Sequence, residues 1–471
     1  MARLTASRYR GALPLVATVG FAALTIWPIS VGVKAGEPLR LATVCSIAII
    51  VGTGLLGIRL LVSGGVRPAL LIVLAFSYTW FGVAALLQTS AGYYPVASLF
   101  GVYLEADSTL TLGWATILTG IAATVGGYHL RVQTPRRAVF DRVIDLRRTE
   151  IVGWLGLGVS LMATALLGGH QRLFERRDAF EEMLGVNSDS LVGTGILSSG
   201  LRVAPLIPCL ALIAVFTWRF GAKMSRRQDK RLRVLTGALL VQTVLVSNPV
   251  SSPRVWFAVA IGSLAMARTP MNSFRRQALF GTLLIVGLVV VLPYLDAYRR
   301  VNAVDFESES IATSLATSAD YGMYAQVLMG SVIVARDGHS MGRQILSAAL
   351  FFIPRSVWTD KAVDTGDHIA DGLGLPDRLN PSSPLWVEFL IDGGLLAVLV
   401  GSAAFGFLLA NGDVRYVESL NRSHPTLFYV VWSWFPLYCI FLLRGSLLGA
   451  MPRLAVMVAL SIACSRAAPK D

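Results

Sequence analysis

The sequence predicts an all-α polytopic membrane protein with about twelve transmembrane helices, and three observations support this fold class. Of its 471 residues, 54% are hydrophobic and only 15% are charged, and the mean hydropathy is +0.63. Apolar runs of about 20 residues, long enough to span a bilayer as helices, recur along the chain. These runs are also continuous, whereas the strands of a membrane barrel are about half as long and alternate in polarity.

The apolar runs give the helices in chain order. We place them near residues 11–33, 41–63, 68–89, 109–130, 151–168, 194–218, 234–249, 254–267, 278–296, 384–411, 425–443 and 446–465. The first run exceeds the core of a signal peptide, so we expect a retained helix. The two prolines of NPVSSPR, residues 248–254, end the seventh helix and start the eighth. The whole chain, 1–471, is thus expected to form one integral membrane domain.

Two connections carry a large excess of arginine and lysine. They cover residues 131–149 and 219–233. Short basic loops of membrane proteins stay in the cytoplasm, so both loops and both termini are assigned to that side. The formal net charge of +13 then reflects topology, and a nucleic-acid partner is not expected.

The longest connection, residues 297–383, falls on the exported side and is predicted to be a large functional loop. It contains an amphipathic run, MGRQILSAALFFIPRSVW, from Met341 to Trp358. The spacing predicts a helix that lies along the membrane surface.

Several basic residues lie at or near the outer ends of helices or in exported segments, against the topology rule. They are Arg202, Arg254, Arg355, Lys361, Arg444 and Arg453. An arginine held in hydrocarbon costs about 2.5–3.5 kcal/mol on insertion scales, so each needs a partner, a route to the interface or a bound anion. Any one of them can be structural. As a group they indicate a cationic pocket, and guanidinium groups suit phosphate oxygens.

Candidate acid–base groups follow in the same part of the sequence as Arg355 and Lys361. Glu388 stands inside an apolar run, where an unpaired carboxylate is expensive, and Asp392 shares its helix face four residues later. His368 can act as a base near neutral pH or be an ordinary surface histidine. The sequence contains no metal-ligand spacing of its four cysteines, no Walker-type glycine loop and no HExxH, so no metal site is expected.

The order of several motifs resembles a known family. These are SNPVSSPRVWF, GRQILSAALFFIPRSVWTDK, TGDHIADGLG and NPSSPLWVEFLIDGGLLAVLVGSAAFG, which together cover roughly residues 240 to 410. They look like the O-antigen or oligosaccharide repeat-unit polymerases (Wzy-type), which belong with the O-antigen ligases. The resemblance implies a metal-independent, GT-C-like glycosyltransferase of the bacterial cytoplasmic membrane that needs no cofactor. Such enzymes move a growing glycan from undecaprenyl pyrophosphate to the next lipid-linked repeat unit.

The resemblance also implies roles and partners. The departing pyrophosphate needs fixed cations, for which Arg254 and Arg355 in the matching PR motifs are first choices, with helpers at Lys361, Arg202 and Arg444. The base is left open among Glu388, His368, Asp392 and Asp320. The implied partners are undecaprenyl-pyrophosphate-linked oligosaccharides, the lipid bilayer, and a flippase and chain-length regulator of the same pathway.

Three alternatives stay open at the level of sequence. An O-antigen ligase uses the same donor and a different acceptor. A lipid-linked-glycan flippase or transporter fits the helix count, although transporters favour repeats and broken helices that converge at mid-membrane. A structural scaffold would have no need of a cationic outer pocket.

Overall fold

The computed structural model describes residues 23, 25–33, 40–62, 65–130, 142–174, 191–218, 225–250, 252–293, 310–376 and 381–468. The helices of its first half are α1 (Leu41–Val62), α2 (Pro68–Ala91), α3 (Asp107–His129), α4 (Leu146–Leu166), α5 (Leu191–Thr217), α6 (Arg226–Val246), α7 (Arg254–Arg268) and α8 (Phe274–Val286). Those of the second half are α9 (Ile311–Thr317), α10 (Met323–Asp337), α11 (Arg343–Ala349), α12 (Thr365–Leu373), α13 (Leu385–Leu420), α14 (Leu427–Arg444) and α15 (Leu447–Ala463). The backbone of α13 is kinked at Gly393 and Gly394, which have non-helical angles.

Seven of the described helices are long and apolar enough to cross a membrane. They are α1, α2, α3, α4, the Gly200–Thr217 part of α5, α13 and α14. This confirms the prediction of a helical membrane protein. The predicted spans at 234–249, 254–267 and 446–465 also contain helices, but α6 begins with a charged turn and α7 and α15 have 15 and 17 residues. In the span predicted at 278–296, α8 continues as a π-helix over Gly287–Val291, and residues 294–296 lie outside the described part. The predicted span at 11–33 lies largely outside the described residues.

One end of the bundle is strongly basic, and we call it the basic end. Two short strands lie there, β1 (Arg142–Ile144) and β2 (Ser465–Ala467), which pair antiparallel. Arg142 and Arg148 both donate hydrogen bonds to Ser465. The indole of Trp218, just after α5, donates to the carbonyl of Arg422, 3.0 Å away. Three helices thus end at the basic end, namely α5, α13 and α15. Three others begin there, namely α4, α6 and α14. The helices α13 and α15 begin at the opposite end.

The centre of the bundle is the contact between α3 and α13, which run in the same direction. Glycines allow a close approach, because a Cβ at Gly127 would lie 2.0 Å from the carbonyl oxygen of Ala403, and one at Gly406 would lie 1.9 Å from that of Thr124. Next to this pair, α2 is buried from Pro68 to Thr89 and forms a π-helix over Ser77–Ala84. Such segments interrupt regular helices frequently at functional sites.

A buried carboxylate joins four helices toward the basic end. Asp413 of α13 accepts hydrogen bonds from the hydroxyl of Tyr128 at 2.7 Å, the indole of Trp432 at 2.8 Å and the amide of Ala69 at 3.2 Å. These donors belong to α3, α14 and the start of α2. Because several donors satisfy this carboxylate, its burial is compatible with a structural role.

The segment predicted as a large exported loop, 297–383, contains four helices, α9 to α12. Of these, α10 is buried against α3 and α13, so part of the segment belongs to the helical core. The run from 341 to 358 is helical only over Arg343–Ala349, since Gly342 precedes that helix with a φ of 85° and turns around Pro354 follow it. This short helix packs on α15 and α13. Residues 297–309 and 377–380 lie outside the described part.

Candidate functional site

Two arginines from different helices meet on one carboxylate near the end of the bundle opposite the basic end. Arg444, the last residue of α14, donates from Nη2 to Oδ1 of Asp320 over 2.6 Å. Arg254, the first residue of α7, donates from Nη2 to Oδ2 of the same carboxylate. Its Nη1 also donates to the carbonyl oxygen of Leu292 over 2.7 Å. We call Arg254, Asp320 and Arg444 the triad.

Local sequence explains where the two arginines stand. Pro253 has extended backbone angles and precedes Arg254, so α7 begins directly at the arginine. After Arg444 the chain leaves the helix at Gly445, which has an extended conformation. Both guanidinium groups therefore lie at helix ends, from which a long side chain can reach the turn that carries Asp320.

The turn that carries Asp320 is tied to buried groups. It is a single 3-10 turn, Ala319–Tyr321, and the hydroxyl of Ser318 accepts the amide hydrogen of Asp320 over 3.4 Å. The indole of Trp80, in the π-helical part of α2, donates to the carbonyl oxygen of Asp320 over 2.9 Å. The hydroxyl of Tyr321 donates to the carbonyl oxygen of Leu288 over 2.6 Å. These contacts hold the carboxylate where both arginines can reach it.

The triad forms part of the wall of a cavity of about 300 Å³. The cavity is lined by Trp80, Val96, Pro253, Arg254, Val255, Leu292, Ala319, Asp320, Tyr321, Gln326, Pro381, Ser382, Phe441, Arg444 and Gly445. Its volume is at the lower end of the range for small-molecule sites, about 300–1,000 Å³. The lining combines charged, amide and apolar side chains, as a site for an amphiphilic ligand requires.

The triad has more guanidinium groups than carboxylates. Two guanidinium groups face one carboxylate, and Arg254 and Asp320 each have further interactions beyond these three residues. The side chains of Arg254, Arg444 and Asp320 are 7%, 18% and 30% exposed, so water screens them only in part. In addition, Nε of Arg444 is buried and has no hydrogen-bond partner in the described part of the chain. This unpaired donor of Arg444 is charged and can bind an anion.

Glu388 lies outside this cavity and holds the start of the next helix. Its side chain is buried, with the residue 1% exposed, and its Oε1 accepts the amide hydrogen of Leu447 over 2.8 Å. Leu447 begins α15, three residues after Arg444. Glu388 thus fixes the turn that joins α14 to α15, and with it one edge of the cavity.

Asp392 is also engaged by another helix. It accepts hydrogen bonds from the amides of Gln344 at 2.9 Å and Ile345 at 2.7 Å and from the hydroxyl of Ser340. These groups form the start of α11, so Asp392 satisfies donors that a helix N-terminus leaves unpaired. Glu388 and Asp392, both predicted from the sequence as candidate bases, lie on the same helix but bind the starts of different helices, α15 and α11.

Arg355 and Lys361 bind backbone carbonyls and do not line the cavity. The guanidinium of Arg355 is exposed and donates to the carbonyl oxygens of Lys361 and Ala362, both at 2.8 Å. The ammonium of Lys361 is buried and donates to the carbonyl oxygens of Phe351 at 2.7 Å and Ile353 at 2.8 Å. Burial and the nearby charge of Arg355 lower the pKa of Lys361. Both cations therefore stabilise the backbone of residues 350–362 through hydrogen bonds to its carbonyl oxygens.

The remaining candidates also lie apart from the triad. His368 is half-buried on α12, and its neighbour Asp367 has a pKa raised to about 6, mainly by burial and then by Asp364 and Asp371. Arg202 is buried within α5. Neither His368 nor Arg202 lines the cavity. The structure therefore brings together three of the sequence candidates, Arg254, Arg444 and Asp320.

Sequence reasoning missed Gln326 and Trp80, which also line the cavity. Gln326 is a lone amide in the apolar run MYAQVLMGSVIV, residues 323–334, and a polar residue in such a run is itself a signal of function. The signal was hidden because the run fell within a segment interpreted as an exported loop. No sequence pattern distinguishes Trp80 from other buried tryptophans.

Within the part of the chain that the structure describes, no group of three or more histidine, cysteine, aspartate or glutamate residues is arranged to hold a metal ion. Comparisons with protein-family models, curated proteins and solved structures gave no match to the chain.

Proposed function

We propose that the cavity binds the pyrophosphate of an undecaprenyl-linked glycan and that the chain is a repeat-unit polymerase. One observation carries this proposal: two guanidinium groups from separate helices converge on a single carboxylate at the wall of a cavity near one end of a membrane bundle. The enzyme would transfer a growing glycan from its carrier to the non-reducing end of the next lipid-linked unit.

The charge change during the reaction explains why arginines are needed. When the bond between the anomeric carbon and the phosphate oxygen breaks, the leaving undecaprenyl pyrophosphate gains one negative charge. Fixed cations in a site of low water content stabilise that charge more in the transition state than in the bound donor, which lowers the barrier. The two guanidinium groups of the triad supply this stabilisation in a metal-independent transfer, and Leu292 and Phe441 supply apolar lining beside them.

Asp320 has two successive roles in this proposal. Without substrate it offsets the charge of Arg254 and Arg444, which would be costly to bury alone. The incoming pyrophosphate then takes the guanidinium hydrogen bonds, and the carboxylate oxygens become available. The hydroxyl of the acceptor sugar attacks the anomeric carbon and its proton passes to Asp320, the one described carboxylate that lines the cavity.

The distribution of charge supports an orientation for the protein. The basic end carries Arg142, Arg148, Arg231, Arg422 and Arg466, and such ends face the cytoplasm. The triad, near the other end, would then face the outside of a bacterial cytoplasmic membrane, where lipid-linked units are polymerised. The same rule favours cytoplasmic termini for this chain.

Analysis of lipid-linked glycans in a strain that lacks the gene tests the proposal. Single repeat units that accumulate on the carrier are the expected result. Units trapped on the cytoplasmic leaflet would overturn it in favour of a flippase, and finished but unattached polymer would overturn it in favour of a ligase.

Complementation with variants tests the site. Arg254→Ala and Arg444→Ala should leave only single units, while the protein level in the membrane stays the same. Arg355→Ala is the matched control, because this arginine is exposed and binds two carbonyl oxygens outside the cavity. Polymer of normal length in both triad variants, or equal loss in all three, would refute the assignment.

A further inference from the structure

A buried glutamine beside the triad has an unsatisfied side chain. Gln326, in the first turn of α10, lines the cavity and is only 3% exposed. Its Oε1 is buried without a hydrogen-bond partner, and its amide makes no side-chain hydrogen bond within the described part of the chain. Buried polar atoms in native proteins are nearly always paired, so an exception requires an explanation.

The exception is not explained by packing. An apolar side chain of similar length would fill the same volume without an unpaired acceptor, which is destabilising when buried. Other buried glutamines have at least one end of the side chain paired: Nε2 of Gln88 donates to the carbonyl oxygen of Tyr321 over 3.0 Å although its Oε1 is unpaired, and the Oε1 of Gln344 accepts from Thr365 over 3.3 Å. Gln326 is therefore a polar group that the folded chain alone leaves incomplete.

We infer that Gln326 recognises a hydroxyl group of the sugar attached to the pyrophosphate, an inference that rests on the proposed function. It lies six residues after Asp320 and shares the cavity with both arginines. A ligand whose phosphates bind the guanidinium groups would bring its first sugar to the neighbouring wall.

The chemistry of an amide favours a sugar over a second phosphate. A phosphate offers only acceptors, whereas a carboxamide has one acceptor oxygen and two donor hydrogens. A sugar hydroxyl donates and accepts, so it can pair with either end of the amide. Rotation about the last side-chain bond exchanges the positions of the amide oxygen and the amide nitrogen. Gln326 can thus present either atom to the cavity. The small volume of the cavity leaves the rest of the glycan outside.

Two lipid probes separate the recognition of sugar from the recognition of pyrophosphate. The protein in lipid nanodiscs is titrated with farnesyl pyrophosphate, which has no sugar, and with the lipid-linked repeat unit extracted from the strain that encodes the chain. Gln326→Met should bind the lipid-linked unit about 3- to 10-fold more weakly, the equivalent of one hydrogen bond. Its affinity for farnesyl pyrophosphate should equal that of the wild type. Arg444→Ala should weaken binding of both probes.

The thermal midpoint of the same variants reports on structure. Gln326→Met removes an unpaired buried acceptor, so its midpoint should equal or exceed that of the wild type. Gln344→Met is the matched control: it loses the pairing with Thr365, so its midpoint should fall, while the affinity ratio of the two probes stays that of the wild type.

The outcomes distinguish failure of this inference from failure of the proposed function. If the wild type binds both probes and Gln326→Met binds both equally well, or loses both equally, Gln326 does not recognise the sugar. A fall in the midpoint of Gln326→Met with unchanged probe affinities would make the residue structural. If the wild type binds neither probe, the pyrophosphate site and this inference are both overturned.

Discussion

Exchange of Asp320 for asparagine removes the charge of the triad carboxylate and keeps its shape. The two guanidinium groups are then left with no opposing charge from this residue. Loss of one partner from a buried ion pair costs about 3–5 kcal/mol. Because the Asp320 side chain is 30% exposed, water compensates part of the loss. We therefore expect the free energy of unfolding to fall by about 2–3 kcal/mol.

Reversible unfolding in mixed detergent micelles, followed by tryptophan fluorescence, measures this difference. The control is Asp337→Asn, because Asp337 pairs with Arg336 at 2.6 Å but the two side chains are 40% and 51% exposed. That exposed pair should contribute nothing measurable. Inorganic pyrophosphate should restore part of the stability of Asp320→Asn, since it can bridge the two arginines. An unfolding free energy equal to that of the wild type, or no response to pyrophosphate, would refute the electrostatic account of the triad.

Four further substitutions test other features of the fold. Asp392→Ala should cost about 1–2 kcal/mol and speed hydrogen exchange of the first amides of α11, which it caps. Lys361→Met should cost about 1–3 kcal/mol, because it leaves carbonyl oxygens unpaired, without weakening the binding of farnesyl pyrophosphate. The pKa of Asp367 is raised to about 6, so the folded protein holds this proton more tightly than the unfolded chain does. Stability should therefore decline as the pH rises from about 4 to 6. Thermal midpoints measured across this range should show the decline in the wild type and not in Asp367→Asn. Gly406→Ala should destabilise the contact of α3 with α13 by about 1–3 kcal/mol in unfolding experiments, whereas Gly126→Ala, whose Cβ would meet nothing within 4 Å, should not.

The membrane helices could be predicted from sequence because hydrocarbon imposes one solution on long apolar runs. The prediction for 41–63 corresponds to α1 at Leu41–Val62, and that for 425–443 corresponds to α14 at Leu427–Arg444. Hydropathy says less about shorter segments packed inside a bundle. The sequence therefore predicts the 15 residues of α10 to lie in an exported loop, whereas the structure buries this helix.

The candidate site could be predicted only in part. Cations placed against the topology rule pointed to Arg254 and Arg444, which the structure brings to one carboxylate, because a charge near hydrocarbon needs a partner. The same argument cannot say whether that partner is a ligand or the protein itself. The guanidinium of Arg355 and the ammonium of Lys361 bind backbone carbonyls, and Glu388 and Asp392 bind helix N-termini. These contacts depend on residues distant in sequence, so no local pattern reveals them.

The spacing of the triad along the chain has a consequence for biosynthesis. Arg254 precedes its counter-ion Asp320 by 66 residues, and Arg444 follows Asp320 by another 124. During translation the first arginine reaches the membrane well before the carboxylate is made, and the second cation arrives close to the end of synthesis. A chain released early would carry Arg254 and Asp320 without the guanidinium of Arg444. Only the finished polypeptide holds both cations of the triad.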